Sequence, residues 1–236
     1  MNNYKSLKIT GFYQIILSIF LIFIYNILAV SVFPPDLSSG APVPSISFLL
    51  SSQILGFFFT SVTLIFAFRV FEINEYLKFD ISFLGLMLAL STLLLAIILI
   101  SSAEYLQKSI VPVYLISSYL SMSGELHSGY ESLARMLVEV QPAMLYLAGA
   151  LLPAVCEEFF FRGFLLQLSL KYYSKLTSLF IVSAIFSLLH FQIIAVLPLF
   201  IFGFLLGLLT LKTGRLSYAV LVHFLNNTFT LYIVSN

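Results

Sequence analysis

The chain has 236 residues, of which 61% are hydrophobic and only 9% charged, and its formal net charge is +1. Soluble domains carry about 25% charged residues, so this composition excludes a water-soluble globular protein, and a charge near zero gives no electrostatic case for a nucleic-acid partner. The single cysteine, Cys156, excludes an intrachain disulfide and any multi-cysteine metal site.

A helix that crosses a bilayer needs about 20 mainly apolar residues. Seven stretches qualify in chain order: Gly11–Phe33, Ser47–Phe71, Ile81–Ala103, Ala143–Leu170, Leu176–Phe191, Ile193–Leu211 and Leu216–Val234. The first is longer than the apolar core of a signal peptide and lacks a small-residue cleavage site, so it reads as a span. Pro34-Pro35 and the Ser/Gly/Pro-rich residues up to Pro44 form the first loop. An eighth span can be drawn through Ile110–Met122, but it is short and contains Pro112. In the same long loop Ser128-Gly-Tyr-Glu131 forms a capping box. Tyr130, Leu133, Met136 and Leu137 follow at helical spacing, which predicts an amphipathic helix over Ser128–Val140.

The basic residues fix a preferred orientation. With seven spans and the N-terminus inside, Lys5, Lys8, Arg69, Lys78, Lys171, Lys175, Lys212 and Arg215 fall on the cytoplasmic side, and only Lys108 and Arg135 fall outside. An eighth span would divide the same residues evenly. The expected fold is therefore all-α: a polytopic membrane helix bundle of about seven helices, one domain over residues 1–236. A multi-pass protein of a prokaryotic plasma membrane is the expected setting.

Five ionisable groups stand in the apolar C-terminal half: Glu157, Glu158, Arg162, His190 and His223. An ionisable group at a bilayer centre costs roughly 2.5–3.5 kcal/mol even on the lenient insertion scale, so these groups must be paired or wetted. Glu158 and Arg162, at i,i+4 with the acid first, share a helix face in the favourable order for an ion pair. Glu157 is turned by about 100° from its neighbour and is left available for other work. The same spacing puts Phe186 over His190, and His223 with Asn227. Counted from the nearest basic residues at about 1.5 Å per residue, the three helices bring these groups within about two turns of one level.

A carboxylate, two imidazoles and a carboxamide around a wet cavity suit water activation. Glu157 would act as general base, with the imidazoles orienting the water or stabilising an oxyanion. Alternatively, Glu157, His190 and His223 are three ligands of a catalytic zinc with one position open, although the HExxH spacing is absent. The bland readings are a packing ion pair for Glu158 and Arg162, packing for Phe186, and an interhelical hydrogen bond for Asn227. Cys156 reads as a small hydrophobe, and Gly203 with Gly207 as a GxxxG contact between helices.

Glu157-Glu158-x-x-x-Arg162, Phe186-x-x-x-His190 and His223-x-x-x-Asn227, each in its own apolar segment, together resemble the CPBP family of CAAX prenyl proteases and bacteriocin-processing (Abi) enzymes. The resemblance spans residues 141–230. It implies an intramembrane endopeptidase in which Glu157 activates water, His190 helps to hold it, His223 with Asn227 stabilises the oxyanion, and Glu158 and Arg162 shape the site. It implies a metal-free glutamate mechanism, with zinc as the alternative. The substrate would be a membrane-anchored or lipidated peptide, or a bacteriocin-like one, cleaved through a cavity open to the cytoplasm. A non-catalytic bacteriocin-immunity or scaffold protein and a proton-coupled transporter are the competing functions.

Overall fold

The computed structural model describes residues 2–34, 45–70, 81–112, 114, 142–192 and 195–235. Seven helices run through them: α1 (Asn2–Val32), α2 (Ile46–Phe68), α3 (Phe83–Ile110), α4 (Pro142–Leu170), α5 (Lys175–Leu189), α6 (Val196–Thr213) and α7 (Leu216–Ser235). No strand occurs among the described residues, so the chain is an all-helical membrane bundle. The Ser128–Val140 helix, and all but the first residues of the eighth-span candidate, lie outside the described residues.

Local sequence explains where the helices begin and end. Ser45, Ser82 and Ser174 sit at the N-caps of α2, α3 and α5, where each hydroxyl accepts from the backbone N–H three residues on. Gly214, at φ 63°, closes α6 in the left-handed conformation that costs glycine nothing.

Five helices are long and apolar enough to cross a membrane: α1, α2, α3, α4 and α6. In α7, His223, Asn226 and Asn227 dilute the apolar run and leave it outside that set. The expected span Leu176–Phe191 is found as a helix with nearly the same bounds. Helix α5 has 15 residues, about 22 Å at 1.5 Å per residue, against a hydrocarbon core of about 30 Å. It is shorter than that core, and His190 is its C-terminal cap.

The helix ends interlock. Lys171 donates from Nζ to the Arg69 carbonyl at 2.9 Å, and the Tyr173 hydroxyl donates to the Lys8 carbonyl at 3.0 Å. The Tyr172 hydroxyl donates to Gln14 Oε1 at 2.9 Å. Beside them, the Ser82 N–H donates to the Tyr218 hydroxyl at 2.8 Å. These contacts gather the ends of α1, α2, α3, α4 and α7 at one face of the bundle, together with their basic residues. Toward the opposite face, buried Gln107 of α3 accepts from the Leu197 N–H at 2.9 Å and so satisfies a free donor in the first turn of α6.

Helix α4 is the centre of the bundle. Half of its apolar window is buried inside the protein, against 22% for α1 and 17% for α3. Phe160, Phe161, Phe164, Leu165, Leu166 and Leu168 are completely enclosed. Helices α5 and α6 approach closely at the GxxxG pair: a Cβ on Gly207 would stand 2.7 Å from Leu179 Cδ2, and one on Gly203 would stand 3.1 Å from Phe186 Cδ1. A side chain on either glycine would crowd α5 there, and Phe186 of α5 meets Phe161 of α4 at a centroid distance of 5.0 Å.

Candidate active site

The site grows out of α4. Glu157 and Glu158 close a regular α-helical turn and are followed directly by a π-helical segment, Phe159–Leu165, that contains Arg162. Such wide turns recur at functional sites because each frees a carbonyl and re-aims the side chains beyond it. Here the Arg162 carbonyl is taken by buried Gln167, which donates from Nε2 at 3.1 Å. Nothing in the sequence pattern marks Gln167 or the wide turn; a glutamine five residues after a charged motif residue is too common a signal.

Glu158 and Arg162 form the pair that their spacing suggests. Arg162 Nη1 donates to Glu158 Oε1 at 2.6 Å, and both side chains are fully enclosed. Arg162 Nη2 donates to the Gly203 carbonyl of α6 at 2.8 Å, and the guanidinium carbon lies 4.9 Å from the centre of the Phe186 ring. A desolvated cation over an aromatic face gains about 2 kcal/mol. The small residue of the GxxxG pair thus supplies a carbonyl acceptor as well as space, a role that sequence reasoning missed.

His223 is brought to the other side of the same carboxylate. Its Nδ1 donates to Glu158 Oε1 at 2.8 Å, and its ring packs edge-on against Phe202 and Phe186, at centroid distances of 5.4 and 6.0 Å. Glu158 therefore joins α4 to α7 as well as to Arg162, which its helical spacing did not show. Asn227, one turn on from His223, is half-buried.

Glu157 points to α5. Its Oε2 is buried without a hydrogen-bond partner and stands 3.9 Å from His190 Nε2. The other nitrogen of that imidazole, Nδ1, lies 2.7 Å from the Phe186 carbonyl. A carbonyl can only accept, so Nδ1 carries a proton, and Nε2 is the nitrogen turned toward the carboxylate. The Phe186 ring lies 4.6 Å from the His190 ring, which makes Phe186 the wall between the two imidazoles and the face beneath Arg162.

The result is two carboxylate–imidazole pairs on adjacent residues of α4. One is open by the width of a hydrogen-bonded bridge; the other is tight, enclosed and backed by a guanidinium. The zinc alternative needs Glu157, His190 and His223 together on one ion. Among the described residues no three His, Cys, Asp or Glu side chains converge on a metal position, and His223 is drawn to Glu158 and away from the set with Glu157 and His190. Cys156 is buried in α4.

Fold and site together define an integral membrane protein with an ionisable cluster at the heart of its helix bundle. Residues 139–229 match the family model of the Type II CAAX prenyl endopeptidase Rce1-like proteins. The C-terminal part of the chain is thus similar to the Rce1-like CAAX prenyl endopeptidases, and the matched stretch holds every residue of the cluster. It covers α4 to α7 and well under half of the chain. Among curated proteins and among solved structures, nothing matches the chain.

Proposed function

We propose that the protein is an intramembrane endopeptidase that hydrolyses a peptide bond of a membrane-associated, lipidated peptide with water activated by Glu157. The observation that carries this reading is the 3.9 Å separation of Glu157 Oε2 from His190 Nε2, with the histidine tautomer set by the Phe186 carbonyl. Two acceptors at that distance hold one water at about 2.8 Å from each. The water donates one proton to each acceptor and keeps a lone pair for the substrate carbonyl carbon.

As the oxygen–carbon bond forms, Glu157 takes the proton on its side. Negative charge moves to the carbonyl oxygen, where His223 and Asn227 of α7 stabilise it. His223 serves that purpose through Nε2, because its Nδ1 is already committed to Glu158. Glu157 then passes its proton to the departing amine, the oxyanion collapses to a carbonyl as the carbon–nitrogen bond breaks, and a carboxylic acid and an amine leave. Glu158 and Arg162 hold His223 in place and do not touch the reacting atoms.

The test is cleavage of a synthetic prenylated peptide by the purified protein in lipid vesicles. Glu157→Gln keeps the shape of the side chain and removes its basicity, so the rate should fall about a hundredfold or more with an unchanged unfolding profile. Full activity of this variant would refute the proposal. Wild-type protein that binds such peptides without cleaving them would favour a scaffold or immunity role.

A further inference from the structure

A second feature of the bundle lies away from the cluster and points to a different ligand. Between α3 and α6 an open groove of about 150 Å³ runs along the membrane-facing surface. Leu88 and Leu95 of α3 and Leu205, Leu208 and Leu209 of α6 line it, and Lys212 stands at one end. Leu95 lies seven residues beyond Leu88, so the apolar part extends about 10 Å along the helix axis.

The polar groups in its wall are satisfied from within. Ser91 donates to the Met87 carbonyl and Thr92 to the Leu88 carbonyl, each at 2.7 Å. The body of the groove therefore makes no polar demand on an occupant and suits hydrocarbon. Lys212 differs. Its side chain is exposed one residue from the end of α6, and among the described residues its ammonium has no hydrogen-bond or ion-pair partner. That end of α6 belongs to the same face of the bundle as Lys171 and Arg69. Lipid headgroups lie at this level, and a lysine stem reaches along apolar surface to keep its charge among them.

A groove that takes an alkyl chain and ends in an exposed cation at headgroup depth has the chemistry of an anionic phospholipid site. We infer that the α3–α6 groove binds an anionic phospholipid, with one acyl chain along Leu88 to Leu95 and the phosphate on Lys212. This inference is independent of the proteolytic reading, because it uses no residue of the cluster.

The experiment is native mass spectrometry of the purified full chain, delipidated and then exposed to phosphatidylglycerol or to phosphatidylcholine with the same acyl chains. One cation near the membrane surface is expected to favour the anionic lipid about fivefold. Lys212→Gln should reduce phosphatidylglycerol retention to the phosphatidylcholine level, and Lys175→Gln, at the same face but outside the groove, should leave it unchanged. Ser91→Phe, which fills the groove, should displace both lipids. Glycerol phosphate without acyl chains should not compete. Equal retention of the two lipids by the wild type, retention of phosphatidylglycerol by Lys212→Gln, or displacement by glycerol phosphate would each overturn the inference.

Discussion

The Glu158–Arg162 pair allows a sharp test of the site's electrostatics through the stability of single and double variants. Both side chains are fully enclosed, Nη1 meets Oε1 at 2.6 Å, and Glu158 also accepts from His223 at 2.8 Å. Replacing Glu158 by Gln leaves a guanidinium in the core with no carboxylate, facing the Gly203 carbonyl and the Phe186 and Phe161 rings. Stranding one charge of a buried pair costs about 3–5 kcal/mol. Arg162→Gln strands the carboxylate in the same way, with His223 as its remaining donor, and should fall at the lower end of that range. The double variant strands neither charge, and replacing a buried pair as a whole is often close to neutral. The two single costs should therefore not add; the coupling should reach about 3 kcal/mol, the upper limit for directly interacting neighbours. Reversible unfolding in mixed detergent micelles, run for all four proteins, measures the cycle. Additive costs, or single variants each losing less than about 1 kcal/mol, would show that the pair is not a desolvated ion pair and would remove the basis for assigning Glu158 a supporting role.

Gly203→Ala should lower both activity and stability. The added Cβ would stand 3.1 Å from Phe186 Cδ1 and 3.4 Å from Ser183 Cα, so Phe186 must yield, at a cost of about 1–3 kcal/mol. Because the Phe186 carbonyl sets the His190 tautomer, kcat should fall while KM stays within about twofold; a loss of stability alone would confine Gly203 to packing. Metal removal is the second expectation. Purified protein should keep full cleavage activity with less than stoichiometric zinc and after chelator treatment. Stoichiometric zinc lost together with activity would replace glutamate-activated water with metal-activated water.

Much of this arrangement was legible in the residues, and the reason is the cost of polarity in hydrocarbon. Glu157, Glu158, Arg162, His190 and His223 stood out because a bilayer tolerates such groups only when they are paired or wet, and the structure brings all five to one centre. Helical spacing gave the Glu158–Arg162 pair and the placement of Phe186 over His190, since both are contacts within one helix. Contacts between helices were less accessible. Spacing along α7 could align His223 with Asn227, but only the packing of α7 against α4 decides that His223 turns to Glu158. The Gly203 carbonyl was hidden for a different reason: every residue has a backbone oxygen, so no letter in the sequence marks the one that receives Arg162. The end of α5 was placed two residues late because Phe191 prolongs the apolar run past the point where the helix ends, at a residue whose φ of 53° no helix accommodates.

That short helix bears on how water reaches Glu157. Helix α5 starts at Lys175 on the basic face and ends at Leu189, about 22 Å away, which leaves His190, Phe191 and Gln192 at membrane depth and toward the opposite face. Phe191 packs on Phe23 of α1 at a centroid distance of 5.8 Å. Phe23 is 15 residues beyond Lys8, again about 22 Å from the basic end. Non-helical backbone at that depth is tolerated only where protein buries it or where it lines a water-filled cavity, and Phe191 and Gln192 are exposed. The sequence led to a cavity opening on the basic, cytoplasmic face; the end of α5 argues instead for water arriving at His190 from the other side. Thiol labelling in sealed vesicles decides between them, and Cys156 gives little background because it is buried. Gln192→Cys should react with a membrane-impermeant maleimide from the side opposite to the one that labels Lys175→Cys. Labelling of both from the same side, or no labelling of Gln192→Cys at all, would refute this route, because the water that Glu157 activates would then have to enter between the basic ends of α4 and α5.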